Sequence, residues 1–215
     1  MIRVCAILIS FVVAGCHSSS ELATVTAGND CAHCVSEEIS DTTYATEWLP
    51  PSERGAPVSF PAFQDQNERS VSVNDLRGAP LAVSFIYTRC ENQRKCPLVA
   101  QTMAELEAKL VQAKITPRPR LALITYDPEY DTPEQLKAFG TTHNLQAMLL
   151  RPEPTRKEQL FKDLNVRVNF NERGVNLHGV QLILLDKQGR FVRAHHTLIW
   201  DNDKVLADLK RLAAE

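Results

Sequence analysis

Five segments have the length and composition of strands, and four of them are runs of apolar residues. The first two, residues 81–87 and 120–126, combine aliphatic, β-branched and aromatic side chains, which suits strands that are covered on both faces. A third, shorter run occupies residues 147–150. The last two lie within residues 180–193 on either side of a turn-forming segment, and this arrangement predicts a β-hairpin.

Helices are predicted between these strands and after the last of them. Cys96-Pro97 opens the first, because proline suits the first helical position, and apolar residues then recur at helical spacing. Capping boxes at the start of residues 132–142 and 155–164 predict two further helices. The pattern predicts a final helix from about Asn202.

The order of these elements predicts an α/β fold. Alternating strands and helices indicate a mainly parallel sheet covered by helices on both faces, and the late hairpin adds antiparallel strands. With 215 residues, 44% hydrophobic and 23% charged, the chain is long enough for one globular domain with an extension at one end. A net charge of -2 without a basic stripe excludes nucleic acid as a partner.

The N-terminus has the pattern of an export signal. One positive charge precedes an apolar run over residues 4–13 that is too short to span a bilayer, so residues 1–15 are predicted to be a signal peptide. Val13-Ala14-Gly15-Cys16 resembles a bacterial lipobox, which implies lipidation of Cys16; the alternative is a plain cleaved signal with an incidental cysteine. We therefore expect a membrane-anchored lipoprotein of the bacterial cell envelope, facing the periplasm or the exterior.

Residues 16–55 have little periodicity and are predicted to be a tether, with the folded domain spanning residues 56–215. The predicted tether contains Cys31-Ala32-His33-Cys34. Two thiols and an imidazole at Cys31, His33 and Cys34 could hold a soft metal ion, act as a redox pair, or simply close a local disulfide. If the motif binds a metal ion or acts as a redox pair, it could exchange copper or electrons with the second cysteine pair, Cys90 and Cys96.

The candidate main site is the pair Cys90 and Cys96, which lies between a predicted buried strand and a predicted helix. Unpaired backbone amides and the helix dipole at such a junction favour negative charge and lower the pKa of a thiol. The two residues are therefore predicted to act as a redox pair or as soft ligands for copper. The alternative is a disulfide that only staples the loop.

Several segments together resemble the SCO/SenC family: residues 85–90, Cys96-Pro97, residues 127–133 and His178. The resemblance covers about residues 56–212 and implies a thioredoxin-like fold with a central mixed sheet. Members of this family deliver copper to the dinuclear copper centre of cytochrome c oxidase, and some reduce disulfides. By resemblance Cys90, Cys96 and His178 are the metal ligands. The common family form has three residues between the cysteines, whereas this chain has five.

Two functions follow from these patterns. The first is an extracytoplasmic copper-binding protein for oxidase assembly or general copper handling, with a partner that carries copper-binding or disulfide-forming cysteines, of the cytochrome c oxidase subunit II type. The alternative is a thiol-disulfide oxidoreductase. Three sets of residues also have a purely structural interpretation. From its position alone, His178 would be a hydrogen-bonded residue at the start of a strand. Asp127 and Asp131 would form a turn and a helix cap, and His195-His196 would be a solvated strand end.

Overall fold

The computed structural model describes residues 44–172 and 174–215. The predicted signal peptide, Cys16 and the Cys31–Cys34 motif lie outside the described residues. Within them, no helix is both long and apolar enough to cross a lipid bilayer. The strands and α-helices are β1 (Tyr44–Ala45), β2 (Phe63–Asp65), β3 (Ser70–Val71), β4 (Leu81–Ile86), α1 (Cys96–Ala113), β5 (Arg120–Thr125), α2 (Pro133–Thr142), β6 (Met148–Pro152), α3 (Lys157–Asp163), β7 (Val168–Asn171), β8 (Gly174–His178), β9 (Gln181–Leu185), β10 (Phe191–His196) and α4 (Asn202–Ala214).

Eight of these strands form one mixed sheet in the order β1-β10-β9-β4-β5-β6-β2-β3. β4, β5 and β6 are parallel to one another, and the remaining neighbours pair antiparallel. The predicted α/β fold with a mixed central sheet is therefore confirmed. The sheet is less parallel than predicted, because the short strands β1, β2 and β3 are too brief to leave a periodic apolar pattern.

The core lies on both faces of this sheet, and the alternation of side chains along β4 shows how. Ala82 and Ile86 belong to a cluster that includes Cys90, Cys96 and apolar residues of α1, α2 and α4. Phe85 faces the opposite cluster, which includes residues of α3. The two cysteines therefore lie at one end of a packed layer and not on a free loop.

One of the two predicted capping boxes is present and the other is wrong. Thr132 accepts a hydrogen bond from the Gln135 backbone N–H, and the Gln135 side chain accepts one from the Thr132 N–H. At the second position a 3-10 turn over Pro154–Arg156 precedes α3, whose N-cap is Arg156 without a side-chain cap. Pro154 suits the start of a helical turn, so Thr155 lies inside that turn and cannot cap it.

The described end of the predicted tether, residues 44–55, packs on the domain. β1 pairs with β10, and the buried Arg54 forms ion pairs with Asp186, at 3.2 Å, and Glu215. The guanidinium of Arg211 lies 4.1 Å from the ring centroid of Trp48. A two-residue strand and charged contacts leave no apolar periodicity in the sequence, and for this reason the sequence pattern predicts a tether here.

A second difference concerns the segment before the predicted strand at residues 180–185. The sequence predicts a loop over residues 171–177 followed by a strand that begins near His178. Instead β7 and β8 form a separate antiparallel hairpin, and His178 is the last residue of β8. Most residues of this hairpin are only half buried, so it has no long apolar run to mark it.

Candidate metal centre

The two cysteines are placed by the junction between β4 and α1. The Cys90 backbone N–H donates to the Tyr87 carbonyl at 3.3 Å, and Cys96 is the first residue of α1. Between them Asn92 organises the loop, since its side chain accepts from the Arg94 N–H at 2.9 Å and its carbonyl accepts from the Lys95 N–H at 3.0 Å. The five-residue spacing is therefore taken up by a turn, and both cysteines still point inward.

His178 completes a group of three potential ligands. Its Nε2 lies 3.9 Å from the Cys90 sulfur and 3.8 Å from the Cys96 sulfur, and the three donor atoms lie within 4.8 Å of one another. All three residues are buried, with exposed fractions of 9% for Cys90, 0% for Cys96 and 7% for His178. Neither described cysteine is in a disulfide. The structure thus brings together the three residues that the resemblance predicts as ligands.

Hydrogen bonding fixes the orientation of the imidazole. His178 Nδ1 lies 3.0 Å from the Gly179 carbonyl oxygen. A carbonyl can only accept, so Nδ1 carries a proton, and in the neutral ring Nε2 then presents its lone pair to the sulfurs. Two aromatic rings pack against the imidazole, Tyr87 at a centroid distance of 5.4 Å and Tyr126 at 5.0 Å.

The two thiols have opposite protonation tendencies. A hydrogen bond from the Cys96 thiol, against the effect of burial, holds the pKa of Cys90 well below its ordinary value. Burial, together with the neighbouring Cys90, raises the pKa of Cys96. Of the two thiols, Cys90 is therefore the one that loses its proton more readily.

This donor set fits copper. Thiolates are soft ligands suited to Cu(I), and a neutral imidazole suits either oxidation state of copper. His178 Nε2 lies nearly 4 Å from each sulfur, so an ion between the nitrogen and either sulfur could be bound through bonds of roughly 2.0–2.3 Å, the range seen for sulfur and nitrogen ligands of zinc. A disulfide, at about 2.05 Å between sulfurs, would require Cys90 and Cys96 to move together.

Asp131 ties the cysteine loop to β5. Its carboxylate accepts hydrogen bonds from the Thr88 N–H at 3.2 Å, from the Thr88 hydroxyl at 2.5 Å and from the Thr125 hydroxyl. Burial raises its pKa, and these hydrogen bonds oppose the rise. The sequence placed Asp127 and Asp131 in a turn and a helix cap; the turn is present, with the Asp131 N–H donating to the Asp127 carbonyl, but the cap of α2 is Thr132.

A second link joins the cysteine loop to the hairpin that carries His178. Arg89 forms an ion pair with Asp127 and lies 3.8 Å from the ring centroid of Tyr130. Gly174, the first residue of β8, has a φ of +107°, and a Cβ there would come within 2.8 Å of the Arg89 guanidinium. The start of β8 is therefore packed directly against the Arg89–Asp127 pair.

A cleft of about 480 Å³ opens beside the site. Cys90 lines this cleft together with Arg89, Gln93, Pro97 and Tyr130, whereas Cys96 and His178 do not line it. Cys90 is therefore the one of these three residues that a molecule in the cleft could reach first.

The remaining candidate residues fall into two sets. Cys16, Cys31, His33 and Cys34 lie outside the described residues. His195 and His196 are the last two residues of β10, so the predicted strand end is present, but His195 is not solvated: it is 9% exposed, and β1 pairs alongside it.

The sequence patterns did not predict that Tyr87 and Tyr126 contact His178. Both residues directly follow neighbouring parallel strands, and the ends of such strands meet at one edge of a sheet. The position of both tyrosines directly after predicted buried strands could have indicated that they lie close to the site.

Comparison with known proteins relates this site to a family. A family model described as SCO1/SenC matches residues 56–214. The SCO1 protein homolog of Bacillus subtilis (strain 168) is 36% identical over 83 residues, which cover 39% of this chain and 41% of that protein. A protein of Stutzerimonas stutzeri, named provisionally as copper-binding, is 35% identical over 118 residues, or 55% of each chain. The chain thus spans about half the length of these curated relatives.

A solved structure shows the same fold over more of the chain. BsSco, described as a member of the Sco family of cytochrome c oxidase assembly proteins with a disulfide switch, matches with a TM-score of 0.65 at 25% identity. The match covers 79% of this chain and 97% of BsSco. The predicted thioredoxin-like fold is confirmed, and since the family model matches most of its length, the chain belongs to the SCO1/SenC family.

Proposed function

We propose that this protein binds one copper ion through Cys90, Cys96 and His178 and transfers it to a partner protein outside the cytoplasm. The observation that carries the proposal is the convergence of two sulfurs and the Nε2 of His178 within 4.8 Å in a buried site. Transfer occurs by exchange of ligands with the cysteines of the partner, beginning at Cys90, which lines the adjoining cleft.

The comparisons support copper and an assembly role without naming the partner. The Stutzerimonas stutzeri relative is named provisionally as copper-binding, and BsSco is described as a cytochrome c oxidase assembly protein. We therefore propose a partner with a copper site built from cysteines, of the cytochrome c oxidase subunit II type. Such a partner offers the same soft ligands and can accept Cu(I) without a change of ligand class.

Anaerobic titration of the reduced protein with Cu(I), in competition with a chromophoric chelator, tests the proposal. Wild type is expected to bind one equivalent at this site, and His178→Ala to bind it at least about 10-fold more weakly, or ~1.4 kcal/mol. His195→Ala is the matched control, because His195 lies in β10 and does not line the cleft beside Cys90. Unchanged stoichiometry and affinity in His178→Ala would contradict the proposal.

A second function, thiol-disulfide exchange, is favoured by one specific observation. The sulfurs of Cys90 and Cys96 lie within 4.8 Å of each other without a disulfide between them, and Cys90 has a lowered pKa. In this reaction the Cys90 thiolate attacks a target disulfide and releases one target thiolate. Cys96 then attacks the mixed disulfide, so that the target gains two electrons and Cys90–Cys96 becomes the disulfide.

The two functions are separated by His178→Ala. Reduction of a model protein disulfide by the reduced protein is expected to survive this substitution but not Cys90→Ser or Cys96→Ser. Loss of activity in all three variants would exclude an exchange reaction that needs only the cysteines.

We propose further that Cys16 carries a lipid that anchors the protein to the cell envelope. The sequence pattern around Cys16 supports this location. Incorporation of labelled fatty acid by wild type and not by Cys16→Ser is expected. A protein that is exported but unlabelled would instead indicate a plain cleaved signal.

The Cys31–Cys34 motif is proposed as a second soft-metal or redox site. Two thiols and an imidazole within four residues support it. A double variant, Cys31→Ser/Cys34→Ser, is expected to lose a second copper equivalent or a second redox-active thiol pair while the main site keeps its own. Unaltered copper stoichiometry and thiol titration would contradict this role.

A further inference from the structure

The hydroxyl of Tyr126 is buried directly behind the metal centre. Tyr126 follows β5 and is 1% exposed. A buried phenol hydroxyl requires a hydrogen-bond partner, and this one donates to the Gly179 carbonyl at 2.9 Å. The contact joins residues 53 positions apart in the sequence, so it links the end of a sheet strand to the segment that carries His178.

The same carbonyl receives the Nδ1 proton of His178 at 3.0 Å. A carbonyl oxygen has two lone pairs and can accept both hydrogen bonds. The direction of the His178 ring therefore depends on the direction of one peptide group. That group follows a glycine, the residue type with the most backbone freedom, so its direction has to be held from outside.

The Gly179 backbone is held from two sides. Its N–H donates to the Arg167 carbonyl at 2.8 Å, and its carbonyl is held by the Tyr126 hydroxyl. We infer that Tyr126 is a positioning residue of the metal centre: through the Gly179 carbonyl, its hydroxyl holds His178 with the proton on Nδ1 and with Nε2 facing the two sulfurs. The inference rests on the proposed function for its consequence in copper binding, but the hydrogen-bond arrangement itself requires no metal.

Packing and hydrogen bonding by Tyr126 can be separated. The rings of Tyr126 and His178 are in contact at a centroid distance of 5.0 Å, and Tyr126→Phe keeps this contact while it removes the hydroxyl. Phe161→Leu is the matched control, because the Phe161 ring packs against Tyr126 at 5.9 Å. It disturbs the packing of the same ring and leaves the hydroxyl in place.

The experiment compares wild type, Tyr126→Phe and Phe161→Leu by nitrogen-15 NMR of the histidines in the copper-free, reduced protein and by Cu(I) titration. In Tyr126→Phe we expect a His178 signal for the Nε2-protonated tautomer beside that of the Nδ1 form. We also expect Cu(I) affinity about 10-fold weaker at unchanged stoichiometry, the lower end of the effect of outer-shell partners. Phe161→Leu is expected to keep the wild-type tautomer and an affinity within about twofold of wild type.

Two results would overturn the inference: a Tyr126→Phe protein with wild-type tautomer and affinity, or a Phe161→Leu protein with the same changes as Tyr126→Phe, which would assign the effect to packing. The NMR measurement needs no copper, so it distinguishes the two proposals. A tautomer change in Tyr126→Phe together with no copper binding by wild type would support the positioning role and contradict the proposed function.

Discussion

The two halves of the metal centre are held in different ways. Cys90 and Cys96 lie at the junction of β4 and α1 and belong to the apolar cluster between the central sheet and its helices. His178 ends a two-stranded hairpin outside the central sheet, in which most residues are half buried. The cysteines are therefore placed by the core, whereas the histidine is placed by a small number of specific contacts.

This difference indicates which part of the site can be altered without unfolding the domain. The hairpin is joined to the rest of the site by the Tyr126 hydroxyl on Gly179 and by the packing of Gly174 on the Arg89–Asp127 pair. Substitutions in the hairpin should therefore affect copper binding more than they affect the positions of Cys90 and Cys96. Changes at Cys96 should act on the copper site and on the core together.

The largest effect is expected from Cys96→Ser. It removes a thiolate ligand, so Cu(I) binding should weaken by about 100-fold or more, or ~2.8 kcal/mol. It also places a hydroxyl at a position that is 0% exposed, which should cost about 1–3 kcal/mol of unfolding free energy if the hydroxyl finds no partner.

Cys90→Ser, beside the cleft, should weaken copper binding to the same extent as Cys96→Ser, with a smaller loss of stability. Chelator competition and urea unfolding of the reduced proteins measure both quantities, and equal stability losses would contradict the distinction.

Gly174→Ala tests the hairpin. The φ of +107° and the Arg89 guanidinium, 2.8 Å from the added Cβ, should cost about 1–3 kcal/mol and shift the start of β8. Cu(I) affinity should fall by roughly 10-fold, or ~1.4 kcal/mol, while formation of the Cys90–Cys96 disulfide continues at the wild-type rate.

Gly189→Ala is the matched control for the hairpin variant. Gly189 has a φ of +80° in the turn between β9 and β10, and an added Cβ would lie 3.5 Å from Arg77, an ordinary contact. Its stability should also fall by about 1–3 kcal/mol, with copper affinity unchanged. If both variants lost copper affinity to the same extent, general destabilisation would explain the result and the hairpin would have no special role.

A smaller effect, on pH dependence, is expected at Asp131, which anchors the cysteine loop. Because its pKa is raised in the folded protein, the folded state binds the proton more tightly than the unfolded chain does. This contribution to stability is fully present below the ordinary pKa of 3.8 and is lost as the pH rises through the folded-state pKa. The unfolding free energy of wild type relative to Asp131→Asn should therefore decrease as the pH rises above 3.8.

Asp186→Asn controls for the loss of a buried carboxylate. Against the effect of burial, hydrogen bonds from Arg190 and Arg54 lower the pKa of Asp186. Its contribution is present above the ordinary pKa of 3.8 and is lost only as the pH falls through the lower folded-state value. Urea unfolding of the copper-free proteins should show no decrease for this pair as the pH rises above 3.8, and the absence of a decrease for Asp131 as well would contradict the raised pKa.

Most of the central fold could be predicted from local patterns. The apolar runs at residues 81–87 and 120–126 correspond to β4 and β5, and the capping box at Thr132 correctly marks the start of α2. The short edge strands and residues 44–55 could not be predicted, because pairing with β10 and ion pairs such as Arg54–Asp186 leave no periodic signal. For the site, the cysteine pair was visible from its place between a strand and a helix, whereas His178 was identified through family resemblance.

By itself the sequence determined the alternation of strands and helices and the position of two thiols at a strand-to-helix junction, since these depend on residues close together in the chain. Only the tertiary structure decided that His178 meets Cys90 and Cys96, from which it is separated by 88 and 82 residues. It likewise decided that Tyr126 and Gly179 orient the imidazole. Contacts over such separations arise from how the hairpin packs on the sheet, and no local pattern of residues encodes them.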